Sequence, residues 1–409
     1  LLVLALFALP KLLWQRLRYG KYRSGWRQRL GLSFPPVAPG RLTIWIHAVS
    51  VGETRAVVPL FHALKKRYPE AAFVVSTTTE TGQEEAKRSL PGSAAYLLLP
   101  LDFSWCIRRA VRAYRPHLLI LVESDFWYHL LLSARNAGAR IALVNGKLSA
   151  RSCRRFVRFS WLARRIFTLF DVLCVQSALH AERFQAVGVR EDKLRVTGNL
   201  KFDAPIDALS PQEKASWRHA LGLAPQDGVV VVASTHHPEE VQLLKALEEV
   251  RAARPSLKVL LAPRHPERFS EVRALLPPPF LLYSERAQKT GAETTILIDA
   301  MGMLRILYQL ADATIVGGSF TERIGGHNIF EPIACGAPVL FGPHMHQQND
   351  LAELVLNAGA GIQTALQDLP GYLLGLLEDA SVMRRRGEAL AAQVKGSSER
   401  TFQQLVSLL

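Results

Sequence analysis

Short apolar runs rich in Val, Ile, Leu and Phe recur along this 409-residue chain, separated by longer stretches whose apolar residues return at helical spacing, such as Leu60, Phe61 and Leu64. The runs Leu42–Val49, Phe73–Thr77, Ala95–Leu99, Leu118–Val122, Ile141–Val144, Val172–Val175 and Leu194–Thr197 predict strands in the first half. The rhythm resumes with Val229–Ala233, Lys258–Ala262, Phe280–Tyr283, Thr295–Ile298, Ala313–Val316 and Val339–Phe341. Strand–helix alternation of this kind predicts an α/β chain with parallel sheets. Residues 199–217 are polar, hold two prolines and lack a strong period, so they read as an interdomain linker. The expected architecture is two Rossmann-like domains facing across a cleft, at residues 31–205 and 206–409, behind an N-terminal segment at residues 1–30.

Charge changes the picture at that segment. The chain carries 50 Lys and Arg against 35 Asp and Glu, a formal net charge of +15. Seven basic residues and no acid lie between Lys11 and Arg29, interleaved with Trp14, Tyr19, Tyr22 and Trp26, after the apolar run LLVLALFAL. Nine apolar residues are too few to span a bilayer, which takes about twenty. An apolar end, interfacial aromatics and a polybasic stretch together fit the edge of an anchor on an anionic membrane surface. An amphipathic helix packed on the protein is the plainer alternative. Nucleic acid is disfavoured, because the later motifs point to small molecules. Cys106, Cys153, Cys174 and Cys335 form no C-x-x-C pair and read as free thiols.

Ligands of parallel sheets bind at the carboxyl ends of strands, so the residues just after each run carry the candidate chemistry. In the second half these are Ser234-Thr235-His236-His237, Pro263-Arg264-His265, Gly317-Gly318-Ser319 followed by GGHNIFEP at 325–332, and Gly342-Pro343-His344. Glycines that open backbone N–H groups, helix starts and a forked guanidinium suit a phosphate-bearing nucleotide sugar. Each also has a bland reading: Arg264 pairs with Glu267, Asn328-x-x-Glu331 forms a capping box, Gly317-Gly318 is a turn. The histidines lack tight ligand spacing and there is no D-x-D, so no metal site is expected. In the first half the strand ends carry Glu53 in HAVSVGETRA, Glu123 and Asp125 in ESDFW, Lys147 in NGKLS, and Lys201 in GNLK. Glu53 has the bland reading of a helix-start acid, a location expected to keep it ionised. Glu123 is expected to pair with Lys147 or Lys201.

Together HAVSVGE (47–53), ESDFW (123–127), NGKLSARS (145–152), GNLKFD (198–203), PRHPERF (263–269), DAMGML (299–304), VGGSF (316–320), GGHNIFEP (325–332) and FGPH (341–344) resemble the 3-deoxy-D-manno-octulosonic acid (Kdo) transferase family, most closely its chlamydia-related branch. The resemblance implies the two-domain glycosyltransferase fold called GT-B. It implies inverting, metal-independent and cofactor-free transfer of Kdo from CMP-Kdo to lipid IVA, on the cytoplasmic face of the bacterial inner membrane. Carried over by motif, Glu53 is the general base, and Glu123 and Lys201 steady the transition state. Pro263, Arg264, Met301, Gly302, Met303, Asn328, Ile329, Phe330 and Glu331 match the CMP-binding segments. Asp125-Phe126 stands where many members have Glu-Leu, and Tyr128-His129 replaces a common proline, differences that bear on acceptor contacts. A sugar-nucleotide 2-epimerase of the same architecture and a non-catalytic membrane-bound scaffold are the rival readings.

Overall fold

The computed structural model describes residues 25–38 and 42–409. The chain divides into two compact units, the first ending at Ala204 but joined by Val394–Leu409, the second running from Pro205 to Gln393.

The first unit is built on a parallel sheet of β1 (Thr43–His47), β2 (Ala72–Thr77), β3 (Ala95–Leu98), β4 (Leu118–Val122), β5 (Arg140–Gly146), β6 (Val172–Val175) and β7 (Leu194–Val196), in the order β3-β2-β1-β4-β5-β6-β7. Its central strands are apolar at nearly every position because helices cover both faces. Alternate residues serve different cores: Trp45, Leu119 and Leu143 pack on one side, Ile44, Ile46 and Ile120 on the other. The second unit repeats the plan with β8 (Gly228–Thr235), β9 (Leu257–Pro263), β10 (Phe280–Leu282), β11 (Thr295–Leu297), β12 (Ala313–Val316), β13 (Val339–Phe341) and β14 (Ile362–Gln363), ordered β10-β11-β9-β8-β12-β13-β14. Two helix-flanked parallel sheets agree with the GT-B-like expectation, and every predicted strand is present. Strand order reverses between β1 and β4 in one sheet and between β8 and β12 in the other, the places where such sheets hold ligands.

Two expectations need revision, and a third lies mostly outside the described residues. The units divide between Ala204 and Pro205, inside the expected linker 199–217, but the end of that segment is not aperiodic: Pro211–Ala220 is a helix of the second unit with Ser210 and Glu213 in a reciprocal capping box. The tail does not belong with the second unit. Its last helix, Ser397–Val406, buries Leu405 with Phe402 and Leu408 alongside, in the core of the first unit that holds Leu60 and Phe61. The Asp203 carboxylate accepts from Gly396 N (2.8 Å) and Ser398 N at the start of that helix, placing negative charge where a helix welcomes it. Finally, the segment 1–30 lies mostly outside the described residues. Its described part is a short helix, Trp26–Arg29, folded onto the first unit, where Arg29 is buried and its guanidinium donates to Thr78 O at 2.9 Å. Among the described residues no helix is long and apolar enough to cross a membrane.

Candidate active site

Glu53 lies in the first turn of helix Val51–Ala56, directly after β1. A second helix, Val58–Arg67, begins with Pro59 in its own first turn, so the proline marks a new helix and leaves Glu53 within the first. Ser50 caps the helix: its hydroxyl accepts from Glu53 N and donates to Glu53 Oε1 (3.2 Å), while Glu53 Oε2 accepts from Val49 N at 2.7 Å. The helix-start role is therefore real. The expectation that this location keeps Glu53 ionised is overturned. Burial, with Glu123 and Asp125 nearby, outweighs the hydrogen bonds to Val49 and Ser50 and raises its carboxyl to about 7. A carboxyl at that value exchanges its proton near neutrality, as a general base must. Gly52 does not form a tight turn. It has ordinary helical backbone, and a Cβ there would meet only Ser50 Oγ, at 4.0 Å, leaving open surface beside Glu53.

Glu123, after β4, is buried, and both expected partners hold it: Lys147 Nζ on Oε2 and Lys201 Nζ on Oε1, the latter at 2.6 Å. Burial alone pushes its carboxyl up, but the two ammoniums prevail and hold it below its ordinary range. Glu123 and Asn145 both adopt left-handed backbone (φ 66° and 53°), uncommon outside glycine and easier for Asn than for Glu. Asn145 is fully buried and joins the cluster: its amide nitrogen donates to Glu123 Oε1 (3.4 Å) and its oxygen accepts from Leu200 N (3.0 Å). Leu200 precedes Lys201, so one side chain fixes both the acid and the arm that carries its lysine. Gly198 (φ 93°) makes that arm's turn, and a side chain there would run into Ser397. His47, the first residue of HAVSVGE, is buried on Ser76 (Nδ1 to Oγ 2.9 Å), and burial lowers its pKa to about 4, so it is neutral. Phe126 packs into the core of the first unit: its ring meets Phe156, Phe167, Phe170 and Phe184 edge-on at 5.0–6.3 Å.

In the second unit the glycine loop after β12 does not await a phosphate. The Glu239 carboxylate, at the start of helix Glu239–Ala253 and fully buried, accepts from Gly318 N (2.7 Å), Phe320 N (2.9 Å) and His236 N (2.9 Å). The protein's own acid thus spans the switch point between β8 and β12. Its neighbour Glu240 takes a two-pronged bond from Arg268 (2.6 and 3.2 Å), fixing the PRHPERF arm. Arg264 is left exposed, with no ion pair to Glu267 or another acid among the described residues, and its amide donates to Thr235 O at 3.1 Å. His236 joins the arm to GGHNIFEP: its ring stacks on His327, with Nε2 to Nε2 2.8 Å, and stands edge-on to His265. Burial, then His236 and the nearby Arg264, lower the His327 pKa to about 4. Asn328 and Glu331 form no capping box. Asn328 Oδ1 accepts from Phe330 N (3.1 Å), while Glu331 takes a bond from Arg305 Nε at 2.9 Å. Arg305 sits on helix Leu304–Leu310, which starts just after Met303, so the Met301-Gly302-Met303 and Asn328–Glu331 segments are tied together. Met301 is exposed and Ile329 and Phe330 are buried.

Each unit therefore gathers its predicted residues at the carboxyl edge of its own sheet. Glu53, Glu123 and Lys201 collect around the β1/β4 reversal, and the second-unit segments around β8, β9, β11 and β12. Reading by motif missed His47, Asn145 and Glu239 as members of these clusters, whereas His236 and His327, named at their strand ends, hydrogen-bond to each other. Asn145 carried a signal, since asparagine at a strand end followed by glycine marks left-handed backbone. Among the described residues no group of three or more His, Cys, Asp or Glu side chains is arranged to hold a metal ion, the histidine cluster included.

Residues 24–204 match the family described as 3-deoxy-D-manno-octulosonic-acid transferase (kdotransferase). The chain is 38% identical over 402 residues to the 3-deoxy-D-manno-octulosonic acid transferase of Chlamydophila psittaci, covering 97% of this chain and 92% of that one. It is 34% identical to the protein of the same name from Bordetella pertussis, covering 90% and 88%. Among solved structures it is similar to a UDP-GlcNAc 2-epimerase from Neisseria meningitidis bound to UDP-GlcNAc (TM-score 0.66, 12% identity, 90% of this chain and 100% of that one). At that identity the likeness is one of fold.

Proposed function

The chain belongs to the 3-deoxy-D-manno-octulosonic acid (Kdo) transferase family and is a glycosyltransferase; on that premise we propose that it moves Kdo from CMP-Kdo to lipid IVA, with inversion and without a metal. The observation that carries the reading is Glu53, a buried carboxyl poised near pH 7 beside the lysine-clamped Glu123. In the proposed step an acceptor hydroxyl attacks carbon 2 of the donor sugar and gives its proton to Glu53. The bond from carbon 2 to the CMP phosphate breaks, and CMP leaves already ionised, needing charge stabilisation more than a proton.

Glu123, Lys147 and Lys201 carry one net positive charge beside Glu53. In this reading Lys201 and Glu123 hold the sugar's developing charge, with Asn145 as their positioning residue. In the second unit, Pro263-Arg264, Met301-Gly302-Met303 and Asn328-Ile329-Phe330-Glu331 receive CMP. Arg264, exposed and without an ion pair among the described residues, meets the phosphate, and Glu331, held at Oε1 by Arg305, meets ribose hydroxyls. The glycine-loop amides of Gly318 and Phe320 are excluded from phosphate binding because Glu239 holds them. A net charge of +15 suits a phosphate-bearing acceptor on an anionic leaflet, and we place the enzyme at the cytoplasmic face of the bacterial inner membrane.

The test is incubation with CMP-Kdo and lipid IVA, with the lipid product weighed by mass spectrometry. Lipid gaining whole Kdo units is expected. Turnover of UDP-GlcNAc with no change in the lipid would replace the reading with an epimerase. Within the donor half, Arg264→Ala is expected to weaken CMP binding by roughly 10- to 100-fold, the worth of a charge-assisted hydrogen bond. Isothermal titration with CMP measures it, and an unchanged dissociation constant would make Arg264 an ordinary surface residue.

A further inference from the structure

No acidic residue lies between Asp125 and Asp171, and the middle of this stretch folds as two short helices, Ala150–Arg158 and Ser160–Phe167, that meet at Phe159. Their inner side is conventional: Ala163, Ile166 and Phe167 are buried in the core of the first unit, with Cys153, Phe156 and Leu162 packed against it. Their outer side is not. Val157, Phe159 and Trp161 flank the junction with 49%, 50% and 61% of their surface exposed. Around them Arg151, Arg154, Arg155, Arg158, Arg164 and Arg165 are all exposed, and none forms an ion pair among the described residues. Arg165 stands over the Trp161 ring at 5.7 Å.

We infer that this helix pair is a membrane-docking surface, its junction at Phe159 seated in the headgroup layer of an anionic bilayer. Three exposed large apolar side chains within five residues are costly in water, and ordinary solvated helix faces mix charges of both signs. An apolar patch flanked by arginines matches an anionic interface on both counts, with aromatic rings at headgroup depth and guanidiniums on lipid phosphates. Nucleic acid is the weaker fit, because the aliphatic Val157 offers no stacking surface. The helix pair is also coupled to the chemistry. It begins three residues after Lys147, a partner of Glu123, and the Phe156 ring packs on Phe126, next to Asp125. Docking here presents an acceptor held in the same leaflet to the Glu53 and Glu123 cluster. The inference rests on the membrane placement proposed above and adds a contact distinct from the N-terminal segment.

Co-sedimentation of the full chain with phosphatidylcholine vesicles, with and without phosphatidylglycerol, tests it. Phe159→Ser/Trp161→Ser is expected to weaken partitioning onto phosphatidylglycerol vesicles about tenfold. Arg154→Gln/Arg158→Gln should erase most of the preference for the anionic lipid, and both variants should keep transfer to detergent-dispersed acceptor. The arginine pair decides if the aromatic pair fails to fold, since both of its side chains are exposed. Unchanged partitioning by a folded variant would overturn the docking surface while leaving the membrane placement intact. Failure of the unaltered chain to bind any vesicle would overturn both, with transfer in detergent still standing for the activity. Loss of binding to a single-stranded oligonucleotide, with vesicle binding retained, would reassign the patch to nucleic acid.

Discussion

Glu53→Gln is expected to lower transfer by roughly 10²- to 10⁴-fold, the usual worth of a general base, while CMP binds as before. Gln keeps an oxygen for the 2.7 Å bond from Val49 N and hence the helix start, so a fall in rate would report chemistry and not unfolding. The pH profile is the sharper readout. The base must be ionised to act, and the Glu53 carboxyl is raised to about 7. The rate should therefore drop about tenfold per pH unit below 7 and level off above it, and Glu53→Gln should lack this acid limb. Stability should run the other way. A carboxyl raised by burial favours the fold while protonated, and that advantage is lost as pH rises through 7; the shift corresponds to about 3 kcal/mol. The Gln variant should thus unfold at the same or a higher temperature than the unaltered chain at pH 8. Full turnover by the variant would leave Glu53 as a helix-start acid and nothing more.

Glu239→Gln is expected to destabilise the second unit by on the order of 3 kcal/mol, a large loss for an isosteric change. The carboxylate receives three backbone N–H groups on its two oxygens. An amide has one acceptor oxygen, so its NH2 must face either Phe320 N–H or the pair from Gly318 and His236, donor against donor in a buried site. Urea unfolding measures the loss. Transfer should decline in parallel, since His236 and, through Gly318 O and Gly326 N at 2.7 Å, the GGHNIFEP loop hang from the same anchor. An unaltered unfolding midpoint would mean that water readily replaces these bonds.

The legibility of this molecule follows the range of each interaction. Central parallel strands announce themselves because both faces are buried, so Ile44–Ile46 or Val229–Ala233 read as apolar runs with no knowledge of their neighbours. The two-residue edge strand Ile362–Gln363 has no such run and is silent in the sequence. Helix Pro211–Ala220 was legible, since Ser210-Pro211 with Glu213 is a helix-start signature, but its residues are largely exposed and the lack of an apolar stripe masks it. Glu123 with its lysines could be anticipated because charged strand ends gather at one edge. Glu239 could not: its partners Gly318 and Phe320 lie 79 and 81 positions away, and nothing local distinguishes it from any acid in a first helical turn. The membership of helix Ser397–Val406 was illegible for the same reason, because an apolar stripe does not say which core it enters.

That last helix bears on heredity. Leu405 and its neighbours complete a core begun by β1 some 360 residues earlier, and Asp203 holds the helix start from the boundary of the first unit. The gene therefore cannot be cut once to separate the two units. A chimera of two such enzymes joined only near residue 204 would inherit a helix shaped for another parent's core, so recombination that trades the second unit has to exchange an internal cassette, Pro205 to Gln393, and leave the two flanking pieces of the first unit to descend together.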